Sequence, residues 1–484
     1  MKIIGTVASS KRAVPLAPTI GTATDVGTGR AFNNGAATVT FTGPAPSGNL
    51  PVISYTATSS PGGFTATGAS SPLTVTGLQS STSYTFTVKA ANSAGQSVAS
   101  SASNSITATT IPAAPTIGAA TAGAGSATVA YTAGATGGKT ITTFTATSSP
   151  GGLTGTGASP ITVSGLTNGT AYTFTVTATN ANFPPTSAAS AASNSVTPVA
   201  PLPVVSGGTL TSDATYFYRT FTSNGTLSVT SASINLDVLV VSGAGGGGGF
   251  FGGGGGAGGI SQFTLSNVIG SKSVVVGAGG AGGGSNVNGT QGTASSFDSS
   301  ATVGGGFGAG GNTTNSGNLE QGGAGGSGGG GASASTNGFS NGGAPTAGQG
   351  NQGGRGYRFA ANPAAGGIGS GGGGGAGAAA ADGPVSNGGV GTTAYTSWGS
   401  ATSTGQNSGG TYYYGGGGGG YPAYNTSGVP VNSTSGGLGG GAGVTSSTPN
   451  NGTANTGGGG SGGGDPGGTG GSGLVIVRYL KSAV

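Results

Sequence analysis

The chain has no cysteine and no histidine. Those two absences exclude disulfide staples, thiolate nucleophiles, imidazole acid–base chemistry, the common zinc sites and every hydrolytic triad built on His. Charge is scarce as well, with 12 Lys and Arg and 7 Asp and Glu among 484 residues. A net charge of +5 and a pI near 9.4 therefore reflect missing acids, not a basic stripe, and nucleic-acid binding is not expected. Seven scattered carboxylates would supply a glycosidase pair only if two came within a few ångströms of each other. Nothing in their spacing brings them together, so the reading is non-enzymatic, with no catalytic residue, metal or cofactor assigned. No run of 18 apolar residues occurs, and membrane insertion is not expected. Residues 1–12 hold a Lys but no apolar stretch of secretory length, so the protein is expected to stay in the cytoplasm where it is made until something releases it.

What abounds is glycine. Of 115 glycines, 88 fall in the 231 positions from Gly243 to Gly473, a density several times the ordinary ~7%. Two apolar stretches, Leu236 to Val241 and Leu474 to Tyr479, frame this tract. A flexible linker is one reading of such composition. Yet alike blocks, such as Gly245–Gly249, Gly252–Gly256, Gly371–Gly375 and Gly415–Gly420, alternate with unlike segments rich in Asn, Ser, Thr and aromatics, and a linker needs no such design. A chain without Cβ can adopt the left-handed polyproline II form, whose amides and carbonyls point outward and must pair with neighbouring strands once buried. The tract is therefore expected to be an ordered bundle of short glycine rods, with residues 245–256 forming two rods and a tip.

Before the tract the chain repeats itself. Ala17-Pro-Thr-Ile20 recurs as Ala114-Pro-Thr-Ile117, Thr56 to Gly63 as Thr145 to Gly152, and Tyr84-Thr-Phe-Thr-Val88 as Tyr172-Thr-Phe-Thr-Val176. Period-two alternation cut by Gly, Pro and Ser turns marks short half-buried strands, and seven of them make a sandwich. The runs Gly77 to Val88 and Gly165 to Val176 resemble the fibronectin type III family at its tyrosine corner. That resemblance implies that Tyr84 and Tyr172 hydrogen-bond upstream backbone, that Phe41 and Tyr131 replace the core Trp both copies lack, and that the modules act as spacers.

Beyond the Pro-rich joint at 198–203, Tyr216 to Thr222 and Gly225 to Thr230 are expected to form a hairpin across Ser223-Asn224. Leu236 to Val241, Ile260 to Leu265, Ser273 to Val276 and Leu474 to Tyr479 add four strands to a base from which the rods project. Asp237-Val-Leu-Val-Val-Ser-Gly-Ala-Gly-Gly246, Val274-Val-Val-Gly-Ala-Gly-Gly280 and Gly470 to Tyr479 as a set resemble the glycine-rich domain of phage tail-fibre and adhesin proteins. The resemblance implies a polyglycine bundle whose distal loops touch a bacterial receptor. The expected class is all-β: segment 1–16, fibronectin type III-like sandwiches at 17–112 and 113–200, and a β base over 201–484 bearing the polyglycine II bundle at 243–473.

Repeated Gly-x-Gly-x-x-Gly matches are compositional, since a dinucleotide loop also requires a βαβ unit and no helix is legible. Tyr395, Trp398, Tyr412, Tyr413, Tyr414, Tyr421 and Tyr424 crowd one stretch, and Arg355, Tyr357, Arg358 and Phe359 form a basic-aromatic loop. Such residues are enriched at binding hot spots and are candidate receptor contacts, for a bacterial surface glycan or an outer-membrane protein. The alternative is that the rings cap the bundle as its missing core. Lys2, Ile3, Ile4, Lys11 and Arg12 make residues 1–16 a candidate attachment segment to other virion proteins. The expected function is a phage tail fibre or adhesin located on the virion. A capsid or neck decoration fibre, or a bacterial surface filament subunit, is the alternative, and an ice-binding glycine bundle a remote one. A homo-oligomer is left open, because no heptad segment predicts a trimer.

Overall fold

The computed structural model describes residues 13–47, 50–181, 186–311, 321–333, 338–358, 368–382, 386–422, 433–444 and 448–484. The chain divides into two compact units, Met1–Ala200 and Pro201–Val484. All but one short α-helix and a terminal 3-10 turn of the described regular structure is β.

The first unit holds two sandwiches. In one, the sheet Thr19–Asp25, Gly35–Thr42, Leu73–Leu78 faces a sheet built from Thr65–Gly68, Ser54–Ser60, Ser83–Asn92 and Gly95–Gln96. Strand alternation sends Val39, Val75, Tyr84, Phe86 and Val88 between the layers. The other repeats the plan, with Thr116–Gly123, Ser126–Thr132 and Ile161–Ser164 over Thr154–Thr156, Ile141–Ser149 and Thr173–Asn180. Both corner tyrosines behave as expected. The Tyr84 hydroxyl accepts the Gln79 N–H at 2.9 Å, and the Tyr172 hydroxyl accepts the Thr167 N–H at 3.1 Å.

The last strand of each sandwich is replaced by a serine ladder that period-two reasoning does not reveal. Ser97, Ser100 and Ser103 donate their backbone N–H groups to the carbonyls of Ala90, Val88 and Phe86. Their hydroxyl oxygens accept the N–H groups of the same three residues at 2.9–3.0 Å. Three residues on one chain thus match two on its neighbour, and both polar groups of each buried partner are satisfied. Ser187, Ser190 and Ser193 do the same for Ala178, Val176 and Phe174.

In the second unit, Gly225–Val241 and Ile260–Val275 form a long antiparallel pair, and the order across the sheet is Thr209–Ser212, Tyr216–Phe221, Leu474–Leu480, Gly225–Val241, Ile260–Val275, Ser296–Phe297, Ser300–Ala301. The framing strands are neighbours, with Val241 opposite Leu474. The expected hairpin between Tyr216 to Thr222 and Gly225 to Thr230 does not form: Tyr216–Phe221 pairs with Leu474–Leu480, which pairs in turn with Asp237 to Val241, while Ser228 to Thr230 pair with Val204–Ser206. The run Leu474–Leu480, Leu-Val-Ile-Val-Arg-Tyr-Leu, is apolar toward both faces and belongs in a sheet interior. Ile260 to Leu265 and Ser273 to Val276, expected as two strands, belong to one. Val238, Val240, Val475, Val477 and Tyr479 point to one core, and Leu239, Val241, Leu474 and Ile476 to the other.

From this base rise the glycine rods. Along Gly243 to Gly249 the N–H groups go in turn to three neighbours: Gly243, Gly246 and Gly249 to Thr293, Thr290 and Val287; Ala244 and Gly247 to Gly471 and Gly468; Gly245 and Gly248 to Gly256 and Gly253. Their carbonyls accept in the same threefold rotation from Gly305, Gly308 and Gly311, from Gly280 and Gly283, and from Gly460 and Gly463. One rod therefore has six hydrogen-bonded neighbours, the hexagonal arrangement open to a three-residue helix whose polar groups all point outward. The return rod, Gly253 to Gly259, is surrounded in the same way. Small side chains are admitted at a few buried positions, Ala244 and Ala257 among them, but at most a Cβ has no room: on Gly247 it would stand 1.9 Å from the Ser461 carbonyl oxygen. Peripheral rods need glycine only where they face inward. In residues 277–283, Gly277, Gly280 and Gly283 are buried while Ala278 and Ala281 are exposed, and Gly289 and Gly292 are buried beside exposed Thr290 and Thr293. The outer Thr hydroxyls accept the N–H groups of Ala281 and Ala278 at 2.7 Å, closing the rim of the lattice.

Candidate functional site

A rod bundle of bare backbone can discriminate ligands only where side chains reappear, at its ends and flanks. The aromatics that crowd the sequence prove to be divided between the two ends.

At the base end, residues 396–402 form the helix Thr396–Thr402, which the sequence does not announce because it has no helical apolar period. A single residue anchors it. Trp398 is 2% exposed and packs with Tyr218, Leu239, Ile260, Tyr414 and Ile476. Arg478 lies between two rings, its guanidinium carbon 4.4 Å from the centroids of both Tyr216 and Trp398, and its Nε donates to Asp237 at 3.0 Å. Burial, reinforced by the hydrogen bond to Asp213, pushes the Tyr218 phenol up to about 12. Burial also pushes Tyr414 up to about 12. Trp398 and Tyr414 are therefore core, and their assignment as contact residues is corrected: a ring without exposed area offers a receptor nothing. Tyr395 packs half-buried against the same cluster, and Tyr412 and Tyr413 are half-buried in the hairpin Gln406–Ser408 and Thr411–Tyr413.

At the far end, the central hairpin turns at Phe250 and Phe251, Phe250 nine residues beyond Val241 and thus about 28 Å from the base at ~3.1 Å per residue. Phe250 packs edge-on against Phe251 with centroids 4.6 Å apart, and Phe251 against Tyr421 at 4.8 Å. Tyr421 is buried there as a cap on the rods, so it too is withdrawn as a contact. Phe250 is 38% exposed. Both phenylalanines hold positive φ, 32° and 55°, a conformation that costs a bulky residue about 1–3 kcal/mol and collects at functional sites.

On the bundle flank toward that end lies a polar cleft of about 500 Å³, lined by Asn341, Gln352, Arg355, Ala379, Ala380 and Asp382. Arg355 is paired with Asp382 at 2.8 Å, and its guanidinium lies 5.4 Å from the Phe339 ring centroid. Phe339, 49% exposed, stands opposite Tyr357 in the small sheet Gly338–Ser340, Gly356–Arg358, Ile368–Gly369. Tyr357 itself is buried, which raises its phenol pKa. Of the basic-aromatic loop, Arg355 reaches the cleft, Tyr357 supports it and Arg358 lies in the adjoining strand. Phe359 and Tyr424, and the attachment residues Lys2, Ile3, Ile4, Lys11 and Arg12, lie outside the described residues.

Sequence reasoning missed Phe250, Phe251, Phe339, Asn341, Gln352 and Asp382. One signal was available: a Phe-Phe pair where a tight turn between glycine blocks would admit glycine without strain. Among the described residues no cluster of acidic groups could hold a metal ion, and no helix is long and apolar enough to cross a membrane.

Residues 28–106 match the fibronectin type III domain model. Among solved structures, the crystal structure of chicken CNTN1 FN1-FN3 domains is similar at 15% identity, covering 60% of this chain and 96% of that one, with a TM-score of 0.23. No curated protein matches. The glycine-rich domain model matches residues 220–480, from the strand Tyr216–Phe221 through every described rod to Leu480. With that match spanning more than half its length, the chain belongs to the glycine-rich domain family.

Proposed function

We propose that this protein is a non-enzymatic structural subunit of a phage particle, a tail fibre or adhesin whose far bundle end contacts a receptor on the bacterial surface. One observation carries the reading. A hydrogen-bonded lattice built almost entirely of backbone holds a few exposed groups, Phe250, Phe339 and Arg355 with its cleft, at one end and flank. Fixing a small set of aromatic and polar groups on a rigid support suits recognition, because little ordering entropy remains to be lost on binding. The fibronectin type III and glycine-rich modules support a structural or adhesive role over a catalytic one. Residues 1–16 are the proposed link to other virion proteins, and the partner is a neutral glycan or an outer-membrane protein loop, since the cleft's charges are already paired.

Immunogold labelling of particles with antibody to the far bundle end, together with adsorption assays of particles carrying Phe339→Ala or Arg355→Ala, tests the reading. Label on fibre tips is expected, with adsorption weakened by about 2 kcal/mol for a hot-spot residue and little affected by salt. Label along the capsid or neck with unchanged adsorption would instead identify a decoration fibre without a dedicated receptor.

A further inference from the structure

The two sandwiches are copies of one plan, yet they treat one pair of rings differently. In the first, Phe41 and Tyr55 pack 4.7 Å apart; Phe41 is buried, and the Tyr55 hydroxyl lies against the backbone of Gly43. In the second, the hydroxyl has changed strands. Tyr131 and Phe144 stand 4.6 Å apart, both half-buried, and the Tyr131 hydroxyl donates to the Gly157 carbonyl at 2.9 Å. Around them opens a cleft of about 390 Å³, floored by Tyr131, Ile141 and Phe144 and rimmed by exposed Thr142, Thr143 and Thr156.

The cleft does not end there. Ile141 and Phe144 also line an adjoining hollow of about 570 Å³, whose walls include Thr136, Lys139 and Thr140 of the second sandwich and Ser81 and Thr107 of the first. The junction beneath is braced: the Asn180 side-chain amide donates to the Thr110 and Thr136 carbonyls at 3.0 and 2.8 Å, and the Thr110 N–H to Gly137 at 2.8 Å. The groove is thus held open by internal hydrogen bonds.

We propose that this groove binds a short neutral oligosaccharide. A sugar ring presents one face of C–H groups and an equatorial rim of hydroxyls. The groove offers the complement, an aromatic and aliphatic floor edged by threonine and serine hydroxyls that both donate and accept. No carboxylate lines either part, and the single charge, Lys139, sits in the outer hollow away from the ring pair. An apolar peptide would leave the hydroxyl rim unused, and a polyanion would find one cation. The volumes fall within the usual range for small-ligand sites, ~300–1,000 Å³. This site lies in the first unit and stands or falls independently of the glycine bundle.

The full chain is titrated with maltotriose, N-acetylglucosamine trisaccharide and a galactose trisaccharide, followed by saturation-transfer NMR. At least one is expected to bind, with its ring C–H protons receiving saturation. Phe144→Leu, which keeps an apolar side chain but removes the ring, should weaken binding about tenfold. Thr143→Ala, at an exposed position with no cost to the core, should weaken it measurably. Tyr55→Phe in the first sandwich should leave it unchanged. Failure of all three sugars to bind at millimolar concentration overturns the proposal. So does binding that survives both Phe144→Leu and Thr143→Ala, or a preference for heparin-like polyanions that vanishes in salt.

Discussion

At the scale of the residue, the bundle converts the smallest side chain into a strict requirement. Gly255 donates to Gly460 at 2.8 Å, accepts from Gly418 at 2.9 Å, and would place a Cβ 2.0 Å from the Gly245 carbonyl oxygen. All three neighbours are backbone, so none can rotate away. Gly255→Ala should cost about 3 kcal/mol or more, whereas Ala278→Ser on the exposed rim should be neutral within ~0.5 kcal/mol; urea midpoints of the two variants make the comparison. The requirement was legible in the sequence as a density of glycine. Its threefold grammar was also present, in Gly289-Thr-Gln-Gly292, but is hidden wherever all three positions are glycine. The buried phenols make a second prediction. Burial pushes the Tyr218 and Tyr414 phenols up to about 12 in the folded protein, from about 10 when unfolded. A raised folded-state value means the stabilisation is complete below pH 10 and is lost as the pH rises from 10 to 12. Stability against urea should fall across that window, and Tyr218→Phe should reduce the slope by up to about one proton per molecule.

At the scale of the element, strands were legible and their partners were not. Alternation located Tyr84 to Val88 and Leu474 to Tyr479 without difficulty, because period two and a doubly buried run are local signals. Adjacency misled at Ser223-Asn224: a short connection suggests a hairpin, yet Tyr216–Phe221 takes a partner more than 250 residues away and Ser228 to Thr230 pair with Val204–Ser206. The helix Thr396–Thr402 was invisible for the opposite reason, since one buried Trp398 holds it in place of a repeating apolar face. The aromatics were likewise legible as a cluster in sequence and not as two groups at opposite ends. The serine ladders rest on a period of three, which is neither helical nor that of a strand. Ser100→Ala would leave the buried Val88 N–H without its hydroxyl acceptor, and thermal unfolding of the variant should show a loss of about 1–3 kcal/mol, while Ser101→Ala, exposed and outside the ladder, should show none.

At the scale of the whole molecule, two constructions meet in one chain. The first unit and the base of the second are stabilised as most proteins are, by apolar side chains taken out of water. The rods are not: what they bury is mostly peptide group against peptide group, with N–H and C=O groups paired to neighbouring rods. Removing apolar surface from water raises the heat capacity of unfolding by about 0.45 cal/mol/K per Å², whereas removing polar surface lowers it by about 0.26. The second unit should therefore unfold with a heat-capacity increment per residue well below the usual ~12–15 cal/mol/K, a value that calorimetry of residues 201–484 measures. A small increment flattens the curve of stability against temperature. The bundle should hold its strength nearly unchanged from the cold to well above ambient warmth, retreating from cold denaturation because little hydrophobic driving force is there to fade.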